Sequence, residues 1–237
     1  MAAPASGALR PRLARRVMQL RRVLRRLGPS RRGTSTIEFA LVLPILTGMG
    51  MYGIELVNMA VIKMQISQMA TSVADNASRM QQTNNNVVAP TVTEKDVDSV
   101  MIGAAEQGRR FSFIERGRII LSSIERDPAT GKQFIHWQRC TGEGDAVSAY
   151  GDDGANNGLN GDALPPIGKG ATKVTASNGI AVMLAEVEYS YPGLFGDVFV
   201  KDVTFREEAA FIVRDVRDLR ASNLPGITGG GGQSACV

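Results

Sequence analysis

The chain has 237 residues, 43% hydrophobic and 5% aromatic, which excludes a wholly disordered protein and, with Trp137 as the sole tryptophan, argues against a large, heavily packed enzyme interior. The charge is unevenly spread: ten of the 27 Lys and Arg residues lie in residues 1–33, where there is no acid, leaving 17 basic groups against 23 Asp and Glu in the rest. The basic isoelectric point, about 9.3, therefore belongs to the leader, and the body of the chain has no signature of nucleic-acid binding.

In the leader, Arg10, Arg12, Arg15, Arg16, Arg21, Arg22, Arg25, Arg26, Arg31 and Arg32 surround Leu13, Val17, Leu20, Leu24 and Leu27, which share one helical face. That is the pattern of a basic interfacial helix, suited to anionic lipid rather than to DNA. From Ile37 to Ile54 the 18 residues contain one ionisable group, Glu38, and weaker apolar character continues to Ile62. A run of that length predicts a short membrane-spanning helix, and the arginines before it predict a cytoplasmic N-terminus and an exported remainder. A cleaved secretory signal fits less well, because the polar boundary Glu55-Leu-Val-Asn-Met-Ala lacks a small-x-small site. Pro44 lacks an amide proton and predicts a kink or local melting of the span. Glu55 marks the outer boundary of the run, with Lys63 as its expected neighbour.

Beyond the span, Met59, Ile62, Ile66, Met69, Val73 and Met80 fall at spacings of 3, 4, 3, 4 and 7, a heptad seam uninterrupted by Gly or Pro. A single helix from about Ser35 to Met80 would be about 70 Å long at about 1.5 Å per residue, more than twice the bilayer core. The seam is expected to pack on the chain's own globular part, on like helices in a bundle, or on each at different ends.

Thr83-Asn84-Asn85-Asn86 and Ala89-Pro90 form a polar break, after which Thr93 and Asp96 make a capping-box start for a short helix ending near Gly108. Residues 118–125, 133–140, 180–191 and 198–213 then read as strands, rich in β-branched and aromatic residues. Asp127-Pro128-Ala129-Thr130-Gly131 joins the first pair and Tyr191-Pro192-Gly193-Leu194-Phe195-Gly196 the last, so both pairs are expected to be antiparallel. Residues 141–179, dominated by Gly, Asp, Asn and Pro, read as a long exposed loop, and the tail from Pro225, with Gly229–Gly232, as flexible until Cys236 is anchored. The cysteines, Cys140 and Cys236, pair if this part lies in an oxidising compartment and otherwise remain separate buried thiols.

Residues that would carry chemistry are sparse. His136 is the only histidine, sits in an expected strand beside Trp137, and reads as structural. No zinc-type cluster, Walker loop, dinucleotide fingerprint or nucleophile elbow occurs, so neither an enzyme nor a cofactor is expected. The segment 151–162 is rich in oxygen ligands, but its spacing does not match an EF-hand loop and it reads as a solvated loop with no metal.

Arg31-Arg32-Gly33-Thr34-Ser35-Thr36-Ile37-Glu38-Phe39, placed between the basic leader and the apolar run, resembles the processing site of type IV pilin precursors. In these a membrane aspartyl peptidase cuts after a glycine, with glutamate at the fifth mature position. The hydrophobic part, Phe39-Ala-Leu-Val-Leu-Pro-Ile-Leu, then Gly53-Ile-Glu55 and Gln65 to Met80, is similar more narrowly to the TadE family of tight-adherence pilus proteins. The resemblance covers residues 31–80, and the leader is longer than a minimal pilin leader.

It implies cleavage after Gly33, whose missing side chain suits an extended backbone in a protease cleft. It implies a new α-amine at Thr34 that pairs with Glu38, in cis or on a neighbouring subunit, as a register device for assembly, with Phe39 following. A carboxylate left unpaired at full membrane depth costs up to about 3 kcal/mol. It also implies a disulfide between Cys140 and Cys236, tying back the C-terminal region as in some pilins.

The resulting expectation is an α+β protein: a cytoplasmic leader (1–33), a transmembrane and heptad-patterned helix (34–80), an exported pilin-like domain with a small antiparallel sheet (81–224) and a tail (225–237). As a minor pilin or pseudopilin of a tight-adherence pilus it would sit in the inner membrane with its C-terminal domain periplasmic. Its partners would be prepilin peptidase, other pilin subunits, the inner-membrane assembly platform and membrane lipids. Two rival readings are an uncleaved signal-anchored scaffold of the pilus apparatus and a membrane-tethered periplasmic enzyme or binding domain.

Overall fold

The computed structural model describes residues 33–80, 91–168, 173–214, 217, 219, 226–230 and 232–236. The leader arginines and the polar break at 83–90 lie outside the described residues. Helix α1 runs Thr34–Ser78 and contains Pro44. The chain divides into two units between Ile54 and Glu55, so the predicted helix contributes to both.

In the first unit the α1 residues Thr34–Ile54 are exposed or half-buried throughout. Ile37, Phe39, Leu41, Ile45, Leu46 and Met49 all present large apolar side chains outward. Among the described residues α1 is the one helix long and apolar enough to cross a membrane. Its exposed surface is apolar around the helix rather than along one stripe.

The second unit is α+β. After α1 come β1 (Val92–Thr93), α2 (Glu94–Gly108), the single turn α3 (Phe113–Arg116), β2 (Gly117–Arg126), β3 (Gln133–Thr141), β4 (Val182–Tyr191), β5 (Val203–Ile212) and β6 (Ile227–Thr228). Helix α2 starts as its sequence requires: the Asp96 N–H donates to the Thr93 hydroxyl while the Thr93 N–H donates to the Asp96 carboxylate, closing a capping box. Strands β2 to β5 form an antiparallel sheet in the order β3-β2-β4-β5, and β1 pairs in parallel with β6.

One face of the sheet packs on the helices. Ile62, Ile66, Met69, Val73 and Met80 of the seam, with Val97 and Met101 of α2, bury against Ile119, Leu121, Trp137, Met183, Val187 and Tyr189, and Met59 is half-buried at the margin. The heptad seam is therefore occupied by the chain's own sheet. Period-2 alternation in β2 sends Ile124 to the opposite face, where it forms a second cluster with Ile135, Val182 and Leu184.

That second face corrects the expectation for residues 141–179. Ile167 and Ala176 are buried in the second cluster and Leu164 and Val174 pack against it. The Ile135 N–H donates to the Asn157 carbonyl at 2.7 Å, and Ile167 and Val174 exchange backbone bonds. The few apolar residues among the Gly and Asp positions are enough to fold the segment back as a cover, because the sheet face beneath would otherwise be wet.

One further expectation changes. The strand expected at 198–213 begins only at Val203, preceded by a 3-10 turn at Gly196–Val198 and by Asp202 at φ +52°. The tail is docked where it is described: Ile227 and Thr228 pair with β1, and Gln233 N–H and the Ser234 hydroxyl donate to Asp98. A Cβ on Gly232 would fall 2.5 Å from a Glu94 carboxylate oxygen, so the tail passes close to α2 here.

Candidate functional site

Gly33 directly precedes α1 and is exposed, and among the described residues no atom beyond its own chain neighbours lies within 4 Å of where a Cβ would stand. Thr34, Glu38 and Phe39 follow on the helix and are exposed, and the first turn of α1 has no acidic residue. Arg31 and Arg32 lie outside the described residues. The junction thus offers an accessible glycine, then a helix carrying a carboxylate one turn in.

At the other end of the apolar run the geometry is closed. Glu55 is fully buried although it is the first charged residue after Glu38. Its carboxylate accepts the Tyr191 hydroxyl at 2.7 Å, the Leu194 N–H at 3.0 Å and the Phe195 N–H at 3.1 Å. Asn58, less than one turn further along α1, donates to the same Tyr191 oxygen at 2.6 Å. These donors come from the β4–β5 loop, whose shape its sequence sets. Pro192 fixes one φ, and Gly193, at φ +72°, supplies the left-handed position that follows proline in a type II turn. A side chain at Gly193 would meet the Gly196 carbonyl oxygen at 2.4 Å, so the turn is closed as well as tight.

The resulting pair of adjacent N–H groups forms a small anion nest filled by the carboxylate. Burial opposes a charge here, and three donors offset that cost. Lys63, the neighbour expected from the sequence, is exposed, and the bonds of Glu55 go to the loop instead. The reason is helical spacing: Lys63 lies eight residues on, about 12 Å along α1, whereas the loop's amides reach the carboxylate directly. Tyr191, Leu194 and Phe195 were missed as partners. The signal available was an acid ending an apolar run together with a Tyr-Pro-Gly turn elsewhere, and nothing in linear sequence joins them.

Cys140 and Cys236 are joined by a disulfide with Cα atoms 4.8 Å apart. The Cys140 N–H donates to the Ser234 carbonyl at 2.6 Å, and Arg139 bridges to Ala235. Beside them Arg139 binds Glu94 through two bonds, Nε at 3.0 Å and Nη2 at 2.5 Å, and Glu94, foremost by its hydrogen bond, raises the guanidinium pKa. The tail is thereby clamped between α2 and the edge of β3, covering a sheet edge that would otherwise offer open backbone groups.

His136 sits at a register shift between β2 and β3, where Ser123 faces Trp137 and Ile124 faces Ile135, so the histidine is the bulged extra residue. Its Nδ1 lies 2.8 Å from Glu125, which also accepts the Ser123 hydroxyl, and all three are buried. The serine hydroxyl is bonded to the carboxylate rather than to the imidazole, which is not a nucleophile–base arrangement. Gly226 packs on the ring: a Cβ there would come within 2.6 Å of it.

On the covered face, Glu186 and Glu208 are direct cross-strand partners. Glu186 accepts the Ser148 hydroxyl and the Ala149 N–H, and Tyr150 donates to Glu208. Burial raises the Glu186 pKa above the ordinary carboxylate value, with Glu208 adding to it, while Ser148 and Ala149 pull it down. In the acidic loop, Asp152 accepts the Gly154 and Asn156 N–H groups and Asp153 accepts that of Gln138. Among the described residues no group of three or more His, Cys, Asp or Glu is disposed to hold a metal ion. Comparison with protein-family models, curated proteins and solved structures finds no match to this chain.

Proposed function

We propose that this chain is a pilin-like subunit of a tight-adherence pilus, inserted with its basic leader in the cytoplasm and cleaved after Gly33 by a prepilin peptidase. The observation that carries this reading is the contrast at the two ends of the apolar run. An accessible glycine and an exposed Glu38 stand at one end, and a helix face left wholly apolar and uncovered follows them. A surface of that kind requires lipid or other helices, and a pilin needs each in turn.

In this reading cleavage removes ten arginines that hold the leader at the cytoplasmic face, so the subunit becomes far easier to withdraw from the bilayer. The amine created at Thr34 lies one helical turn from Glu38 and supplies its counter-charge, in cis or from a neighbouring subunit. Residues 37–54 would enter the bundle of like helices, while the seam from Met59 to Val73 stays with its own sheet. The disulfide fits a periplasmic location of the exported domain. The chemistry of the function is then assembly, with prepilin peptidase, sister pilins and an inner-membrane platform as partners.

N-terminal sequencing and intact mass of protein isolated from membranes test this. The expected mature terminus is Thr34, and Gly33→Leu should leave the full-length chain. Recovery of only full-length wild-type protein would reject maturation and favour an uncleaved, signal-anchored scaffold of the same apparatus.

A further inference from the structure

The β4–β5 loop, residues 192–202, has no role in the reading above, yet it is the segment bonded to the last residue of the apolar boundary. Two of its apolar side chains face outward: Leu194 is 51% exposed and Val198 73% exposed. Ile102, Val147 and Ile212 of the same unit are also exposed, so exposure alone does not single out this loop; its bonds to Glu55, at the end of the apolar run, do.

The exposure does not come from a slack loop. Gly193 and Gly196 take positive φ, a 3-10 turn spans Gly196–Val198, and the rings of Phe195 and Phe199 meet edge to face at 5.8 Å beneath the tip. Leu194 and Phe195 are fixed to Glu55 through their backbone N–H groups, which leaves the Leu194 side chain uninvolved in the clasp. A preformed apolar tip binds without having to be ordered first.

Depth is set by the chain itself. Glu55 follows Ile54 directly, so in a membrane-anchored chain its carboxylate stands at the outer edge of the hydrocarbon layer, and whatever is bonded to it stands there too. Asp197, Lys201 and Asp202 are exposed around the tip and sum to a charge of −1. Their polarity suits the headgroup layer, and without a net positive charge they give no attraction to anionic lipid.

We propose that the β4–β5 loop is a second membrane contact: Leu194 and Val198 insert at the headgroup–acyl boundary of the bilayer crossed by the chain's own helix, and the Glu55 clasp holds them at that depth. This rests on the membrane-anchored reading of α1. The contact would fix the exported domain against the outer face of the membrane before assembly, and extraction into a fibre would have to release it.

The test uses the full-length chain in phosphatidylcholine vesicles, with lipids brominated at shallow or deep acyl positions as quenchers. Single substitutions Leu194→Trp, Val198→Trp and, inside the apolar run, Leu46→Trp are compared with wild type, whose Trp137 is buried in the sheet and sets the baseline. Both loop tryptophans should be quenched at least about twofold above baseline, more by shallow than by deep bromine, and equally with or without added phosphatidylglycerol. Quenching of Leu46→Trp without quenching of either loop variant would overturn the inference and leave the anchor intact. No quenching of Leu46→Trp would overturn the anchored reading and the inference with it. Loop tryptophans shielded from bromolipid and aqueous iodide alike would mean that another protein surface covers the tip, which also overturns it.

Discussion

The two parts of α1 on either side of Ile54 both carry large aliphatic side chains, but the second interleaves them with polar residues, and their surroundings differ. Before the boundary, Leu46 is 57% exposed, and its neighbours on every side of the helix are exposed with it. After it, Ile66 is at 0% and shares a core with Met101, Leu121 and Met183. The difference lies in spacing. Residues 37–54 are apolar without period, so no rotation of the helix could hide them on one partner, whereas Met59 to Val73 keep a 3,4 spacing that one sheet can cover. Periodicity thus gives the second part a protein partner, while among the described residues nothing buries the aperiodic part.

The comparison can be broken most forcefully at the disulfide, which acts only on the second unit. Replacing both Cys140 and Cys236 by serine opens a link of sequence separation 96. In the chain-entropy model this should cost about 4 to 5 kcal/mol, before any strain is subtracted. Denaturant unfolding followed by Trp137 fluorescence should show that loss, while the protease-protected fragment covering residues 34–54 in vesicles stays unchanged.

Next in size, Ile66→Ala should destabilise the second unit by about 2 to 5 kcal/mol, because it leaves a cavity in a closed core. Leu46→Ala should change the same unfolding transition by less than about 0.5 kcal/mol. Equal effects of the two would show that the apolar run is also part of the domain core.

The clasp comes third. Glu55→Gln keeps the shape but replaces charge-assisted acceptors with an amide, and should cost about 1.5 to 3 kcal/mol. Hydrogen exchange at Leu194 and Phe195 should rise with it. Unchanged protection at those two amides would mean that the turn holds itself without the carboxylate.

The smallest effect is expected at Glu186, on the sheet face covered by residues 141–179. Because burial raises its folded pKa, the folded state holds this proton more tightly than the unfolded chain does. Stability from this group is full below the ordinary carboxylate range and is lost as pH rises through the raised value. Glu186→Gln should therefore raise the thermal midpoint at pH 8 and lose that advantage near pH 4. A gain equal at both values would assign the effect to packing instead.

Local signals were legible wherever the physics was local. The capping box at Thr93 and Asp96, the antiparallel strand pairs and the heptad seam follow from neighbouring residues, and each could be read along the chain. The Glu55 clasp joins residues more than 130 positions apart, and its donors are mainly backbone N–H groups, which every residue except proline carries and no residue type announces. The cover formed by residues 141–179 was hidden for a related reason: Gly, Asp and Asn dominate its composition, while a handful of apolar side chains decide where it lies.

By itself the sequence determined that a cationic leader precedes an apolar, aperiodic run, that a periodic helix follows, and that strands come after it. Tertiary structure alone decided which partner the seam takes, where the tail is fixed, and that the acid at Glu55 is buried in a turn rather than paired with a lysine. Pattern along a chain encodes how much surface must leave water and with what period. Only closure of the fold decides which distant backbone groups are left to satisfy a buried charge.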